Sequence, residues 1–140
     1  MKVLYTTDAL ASGDGRDGHG RSSDGRLDVA LRLPAEMGGS GDGTNPEQLF
    51  AVGYAACYHN ALRLVGRDAK ADISDSAVGA QVTLGITDAG DYQLAVVLEV
   101  SLPNVVDETA QQLADKAHAM CPYSRATHGN IDVQIVMARD

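Results

Sequence analysis

The stretch from Leu49 to Cys57 is the strongest constraint on how this chain can fold. Nine consecutive residues, Leu49-Phe50-Ala51-Val52-Gly53-Tyr54-Ala55-Ala56-Cys57, carry no charge. A helix-start signal precedes them. Asn45 is a capping residue, Pro46 suits a first helical position whose N–H would be unpaired anyway, and Gln48 completes a capping box. The pattern predicts a helix from about Pro46 to Val65. Its first half is apolar on every side, and a helix of that kind is buried all round. In a small domain such burial usually needs a partner chain. Gly53, Ala55 and Ala56 would let another backbone come close.

The rest of the chain is sized for one domain, 1–140. At this length about 68–70% of the unfolded surface is buried on folding. The residues are 44% hydrophobic, which excludes a disordered chain, yet only five Tyr and one Phe are aromatic against fifteen Gly. The core must therefore come from Val, Leu, Ile and Ala and will be thin in volume. A net charge of −8 leaves no basic footprint, so nucleic acid and anionic membrane surfaces are excluded as partners. Two cysteines, Cys57 and Cys121, are too few for a disulfide scaffold or a thiolate zinc site. From Met1 to Ala11 there is one Lys and no apolar run of seven, hence neither a signal peptide nor a membrane span. The expectation is a cytoplasmic protein with reduced thiols and no metal or cofactor.

Strand signals surround the helix. Lys2 to Thr7 is β-prone, and Ser12 to Gly25 reads as a loop crowded with Gly, Asp and Ser. Leu27, Val29, Leu31 and Leu33 then alternate with Asp28, Ala30 and Arg32, the period of a half-buried strand that Pro34 ends. Val78 to Leu84 and Tyr92 to Leu102 form a hairpin around Asp88-Ala89-Gly90-Asp91. Asp107 can cap a second helix, carrying Ala110, Leu113, Ala114, Ala117 and Met120. Pro122 should stop it near Cys121. A last strand covers Ile131 to Met137.

Gly13-Asp14-Gly15-Arg16-Asp17-Gly18 has the glycine spacing of a dinucleotide loop, but a strand follows it and its aspartates would repel phosphate, so nucleotide binding is rejected. His19, His59, His118 and His128 have no metal-ligand spacing and read as solvated. The cysteines carry more information. Cys57 alone would pass for a small buried hydrophobe. Cys121 ends a helix beside Pro122 and Tyr123, where a thiol can move. Together they suit a dithiol that closes reversibly. A reactive cysteine needs a nearby positive charge, because the thiolate is the nucleophile. The dipole of its own helix fades within the first turn, and Cys57 lies about three turns in. Arg16, Arg63, Arg125 and His59 are the candidates, and Arg16 is attractive on its glycine-rich loop.

Two longer motifs now stand out. Gly43-Thr44-Asn45-Pro46-Glu47-Gln48-Leu49-Phe50 with Gly53-Tyr54-Ala55-Ala56-Cys57 resembles the first cysteine motif of the organic hydroperoxide resistance proteins, a branch of the OsmC/Ohr superfamily. Cys121-Pro122-Tyr123-Ser124, Ala126-Thr127 and Gly129-Asn130-Ile131-Asp132-Val133 resemble the second. The resemblance covers essentially the whole chain. It implies an α/β (α+β) OsmC-like fold, antiparallel sheets wrapped around two central helices, in an intertwined homodimer with sites at the subunit interface. It implies that Cys57 is the peroxidatic cysteine, Cys121 the resolving one, Arg16 the catalytic arginine and Glu47 its partner. It also implies dihydrolipoamide or a lipoylated protein as reductant. Tyr58 stands where Phe is usual, Arg125 where Asn is common and His128 where Arg is common. The first would make the pocket more polar, and the others rearrange charge around Cys121.

The expected activity is a thiol peroxidase that reduces alkyl or fatty-acid hydroperoxides through a Cys57 sulfenic acid and a Cys57–Cys121 disulfide, with Leu49, Phe50 and Val52 as apolar pocket walls. If the helix is continuous, Glu47 and Cys57 are ten residues apart, about 15 Å along the axis. A Glu side chain cannot span that, so the Glu47 near a given Cys57 is expected from the other subunit. The rivals are a redox switch using the same dithiol, a ligand-binding module with inert cysteines, and an OsmC-branch activity with broader peroxide preference.

Overall fold

The structure, a computed structural model, describes residues 1–138. Its backbone contacts gather into two compact units, Met1–Leu49 and Phe50–Asp140.

The first unit holds a three-stranded antiparallel sheet of β1 (Ala9–Asp14), β2 (Asp17–Ser22) and β3 (Asp28–Ala30), in that order. The expected strand at Lys2–Thr7 is absent, and the segment read as a loop is a hairpin. Asp14 pairs with Asp17, leaving Gly15 and Arg16 as a two-residue connection. Gly15 takes φ +66°, and glycine in the first position is the signature of a type II′ turn. The strand at 28–30 is shorter than its alternation suggested, although Leu31 continues it with a parallel bridge to Thr44. A 3₁₀ turn at Ala35–Met37 follows Pro34.

The long helix α1 (Pro46–Asp68) starts where the capping signal places it. Asn45 Oδ1 accepts the Gln48 backbone N–H at 2.9 Å, while the Gln48 side chain bonds Thr44 Oγ1 at 2.7 Å and so completes the cap one residue earlier than expected. In the second unit α1 packs with β4 (Ala77–Ile86), β5 (Tyr92–Ser101), α2 (Asp107–Met120), α3 (Pro122–Thr127) and β6 (Val133–Met137). β4 and β5 form the expected hairpin. β6 lies parallel to β5, an exception to the antiparallel pairing. Pro122 ends α2 as expected, yet it also opens α3, a turn-and-a-half helix that was not expected.

The core joins Tyr54, Tyr58, Ala61, Leu62 and Val65 of α1 to Val96, Leu98 and Val100 of β5 and Leu113, Ala114 and Ala117 of α2. The α1 spacing of four, three, one and three is a single stripe, because one chain packs against one side of the helix. Val52 is 71% exposed and Ala56 is exposed too, so within the chain α1 is not buried all round.

Candidate active site

Arg16 sits at the tip of the β1–β2 hairpin and Glu47 in the first turn of α1. Arg16 Nη1 and Nη2 donate to Glu47 Oε2 and Oε1 at 2.8 and 2.7 Å, a bidentate fork. A two-residue turn gives the arginine a firm base, unlike the free loop expected for it. The Arg16 guanidinium holds the Glu47 carboxyl below its ordinary value, against a smaller upward push from burial.

In the second unit, Cys57 on α1 meets Cys121 at the junction of α2 and α3. The thiols are free, with Cys121 Sγ 3.5 Å from Cys57 Sγ. Their exposures reverse the expectation. Cys121, placed by the sequence at a mobile helix end, is fully buried, because a helix continues on each side of it. Cys57, expected in the interior, is partly exposed. Burial pushes the Cys57 thiol up. The Tyr123 backbone N–H works in the opposite direction, and the nearby Cys121 adds to the rise.

The surroundings contain groups that the sequence pattern did not single out. Tyr54 Oη bonds Ser124 Oγ at 2.8 Å and Thr127 Oγ1 at 3.2 Å, and Ser124 Oγ bonds His118 Nδ1 at 2.8 Å. This network ties α1, α2 and α3 together around the Cys121 junction. Its members are spread over 73 residues, and although Tyr54, Ser124 and Thr127 fall within the two cysteine motifs, only the fold shows that their hydroxyls meet. His118 and His59, read as solvated, are half-buried, and burial lowers both pKa values. His59 bonds Ser76 Oγ at 2.9 Å. His19 and His128 are exposed, as expected. A cleft of about 440 Å³ is lined by His118, Ser124, Arg125 and His128 together with Asp115, so a carboxylate accompanies the charges expected around Cys121.

Tyr58 does not make a pocket more polar. It is fully buried, and its hydroxyl donates to the Ala114 carbonyl at 2.7 Å. Phe50 meets Tyr54 and Tyr123 with ring centroids at 5.8 and 6.2 Å. Val52, two residues further on, faces away from that cluster and is exposed, while Leu49 is half-buried. Among the described residues no group of His, Cys, Asp or Glu could hold a metal ion, and no helix is long and apolar enough to cross a membrane.

Residues 39–136 match the family model described as OsmC-like protein. The chain belongs to the OsmC-like family. Within it, the chain is 46% identical over 139 residues to an organic hydroperoxide resistance protein of Xanthomonas axonopodis pv. citri, covering 98% of this chain and 96% of that protein. Among solved structures it is similar to an organic hydroperoxide resistance protein from Legionella pneumophila, with a TM-score of 0.93 and 43% identity over 99% of this chain and 100% of the other. OhrB of Bacillus subtilis has a TM-score of 0.88 and 42% identity over 97% and 100%. These likenesses extend over both units, so the chain has the OsmC/Ohr α/β fold and stands in the organic hydroperoxide resistance branch of the family.

Proposed function

We propose that this protein is a cysteine peroxidase that reduces organic hydroperoxides to alcohols. The Cys57 thiolate attacks the terminal peroxide oxygen, the O–O bond breaks, and an alcohol leaves with a proton while Cys57 becomes a sulfenic acid. Cys121 then displaces hydroxide, which leaves as water, and a Cys57–Cys121 disulfide remains. An external dithiol, dihydrolipoamide or a lipoylated protein, restores both thiols by exchange. The observation that carries this reading is the pair of free thiols at 3.5 Å, one reachable and one buried. A resolving thiol kept from solvent reacts with its neighbour rather than with peroxide.

Burial disfavours the Cys57 thiolate, so the reaction needs a cation, and Arg16 held by Glu47 is the group we assign to that task. Glu47 and Cys57 lie ten residues apart on one continuous helix, about 15 Å along its axis. We therefore assign the Arg16–Glu47 pair of one subunit to Cys57 of the other in a homodimer. The exposed apolar side chain of Val52 is consistent with a second copy covering α1. In that assembly Leu49, Phe50 and Val52 are assigned to apolar walls that favour alkyl or fatty-acid hydroperoxides. The two units are read as parts of one domain acting in the cytoplasm during oxidative stress.

The test is a steady-state assay comparing tert-butyl hydroperoxide with hydrogen peroxide, each with dihydrolipoamide and then glutathione. Turnover of the organic peroxide with the dithiol supports the reading. A reduced protein that consumes neither peroxide overturns it in favour of a binding module. A single oxidation without recycling points to a redox switch.

A further inference from the structure

The contact between the two cysteines has a companion one helical turn away. Gly53 lies four residues before Cys57, on the same face of α1 and about 6 Å along its axis. Tyr123 lies two residues after Cys121 at the start of α3. The same two segments therefore touch twice, sulfur to sulfur at one level and ring to glycine at the other. A Cβ built on Gly53 would stand 3.3 Å from both Cε2 and Oη of Tyr123, tighter than ordinary van der Waals contact. The ring is also held from the sides, 5.8 Å from Tyr54 and 6.2 Å from Phe50. Beyond it, Ser124 and Thr127 are hydrogen-bonded to Tyr54, so α3 cannot retreat without breaking buried bonds.

We infer that Gly53 is a positioning residue: its missing side chain seats the Tyr123 ring on α1, and that seat sets how closely Cys121 can approach Cys57. The inference rests on reading Cys57 and Cys121 as a reversible pair. A disulfide needs the sulfurs at about 2.05 Å. From 3.5 Å the two segments must close further, and a side chain at position 53 opposes that closure by forcing the partly exposed Tyr123 ring aside one turn below. A side chain at position 53 acts as a wedge at that level. The alanines at 51 and 55 lie on other faces of the helix, and Ala56 is exposed, so none of them makes such a demand.

The experiment equilibrates the full-length protein in a lipoate/dihydrolipoate redox buffer and reads the Cys57–Cys121 disulfide by mass spectrometry. Two electrons pass from the thiols to lipoate, and no peroxide is involved. Gly53→Val should lower the equilibrium constant for disulfide formation about thirtyfold and Gly53→Ala about fivefold, within the range that overpacking a contact produces. Adding Tyr123→Ala to either variant should restore it to within about twofold, because the wedge then meets no ring. Far-ultraviolet circular dichroism of the reduced proteins controls for folding, and Gly53→Ala carries the test if Gly53→Val does not fold. An unchanged equilibrium in a folded Gly53 variant, or no recovery with Tyr123→Ala, overturns the inference and leaves the peroxidase reading standing. A wild-type chain that cycles in the buffer but consumes no hydroperoxide overturns the peroxidase reading and leaves this one. A wild-type chain that forms no such disulfide overturns the inference at its root.

Discussion

Cys121 Sγ lies 3.5 Å from Cys57 Sγ, and the two thiols differ in their access to solvent: Cys121 is fully buried and Cys57 is not. On the proposed peroxidase reading that asymmetry orders the events: peroxide reaches Cys57 first, and Cys121 meets only what Cys57 has become. Cys57→Ser should abolish hydroperoxide consumption. Cys121→Ser should consume about two equivalents per chain and stop, the first giving the sulfenic acid and the second, with no resolving thiol to intercept it, the sulfinic acid. Stoichiometric titration followed by intact mass measurement checks both, with sulfinic acid expected on Cys57 in the second variant.

The Arg16–Glu47 fork gives a second prediction. Glu47→Gln keeps the shape and removes the charge, so Arg16 loses its fixed bearing and turnover should fall at least about tenfold, as misplacement of an activating group does. On the proposed assignment, losing the guanidinium leaves Cys57 to burial and Cys121, which push its thiol up, against the Tyr123 backbone N–H. In Arg16→Gln the pH profile of Cys57 alkylation should therefore move upward, the direction burial imposes. The pair also has a pH signature. The folded Glu47 carboxyl titrates below its ordinary 4.5, so its contribution to stability is complete above 4.5 and is lost as pH falls through the lower folded value. The Arg16 side chain is partly solvated, so solvent screens this contribution. Acid unfolding of Glu47→Gln beside wild type measures it.

What the sequence revealed and what it hid divide along physical lines. The helix start at Asn45-Pro46 and the hairpin around Asp88–Asp91 were legible because local chemistry alone decides them. The β1–β2 hairpin was not. Its strands contain Gly13, Gly18, Gly20, Asp14 and Asp17, residues of low β propensity, and pairing along the ladder rather than side-chain alternation makes them strands. α3 was missed because six residues are too few to show a period, and Pro122 signals a stop as well as a start. The two cysteines were legible as a dithiol and Arg16 as one of four candidate cations, while Glu47 entered only through the family resemblance. The burial of the thiols was not legible, since the exposure of Cys57 and the enclosure of Cys121 depend on which face of α1 the core occupies.

Tyr54 and Tyr58 are both fully buried on α1, yet their hydroxyls do different work. Tyr54 Oη holds two buried hydroxyls of α3, so Tyr54→Phe should cost about 1–3 kcal/mol, the range for stranding buried polar groups. Tyr58 Oη bonds only the Ala114 carbonyl, which the α2 ladder also uses, so Tyr58→Phe should cost about 1 kcal/mol or less. Urea denaturation of the reduced proteins distinguishes them. Equal losses would mean that the Tyr54 network is not what secures α3.

His118 should make the fold sensitive to mild acid. Burial and the neighbouring His128 lower its pKa below 6.5, while Asp115 opposes them. The unfolded chain therefore takes up a proton near 6.5 that the folded chain refuses until lower pH, so stability decreases as pH falls through that window. His118→Gln retains a partner for Ser124 and should flatten the loss of thermal stability between about pH 7 and 5.5. It should not abolish it, because the His59 pKa is lowered too, chiefly by burial and also by Arg63.

The assignment of Arg16 and Glu47 to the opposite subunit makes the most discriminating prediction. Arg16→Ala and Cys57→Ser are each inactive on this reading, one lacking the cation and the other the nucleophile. In a mixed dimer, the chain carrying Arg16→Ala still has Cys57, and its Cys57→Ser partner still has the Arg16–Glu47 fork. If the fork serves the other chain's cysteine, one of the two sites in that dimer is complete. Unfolding and refolding an equal mixture makes about half the dimers mixed, so activity should return to about a quarter of wild type. If the fork serves its own chain, the mixed dimer has one site without Arg16 and one without Cys57, and no activity returns. Adding Glu47→Gln to the Cys57→Ser chain should then weaken the recovered activity, whereas adding it to the Arg16→Ala chain should leave it unchanged.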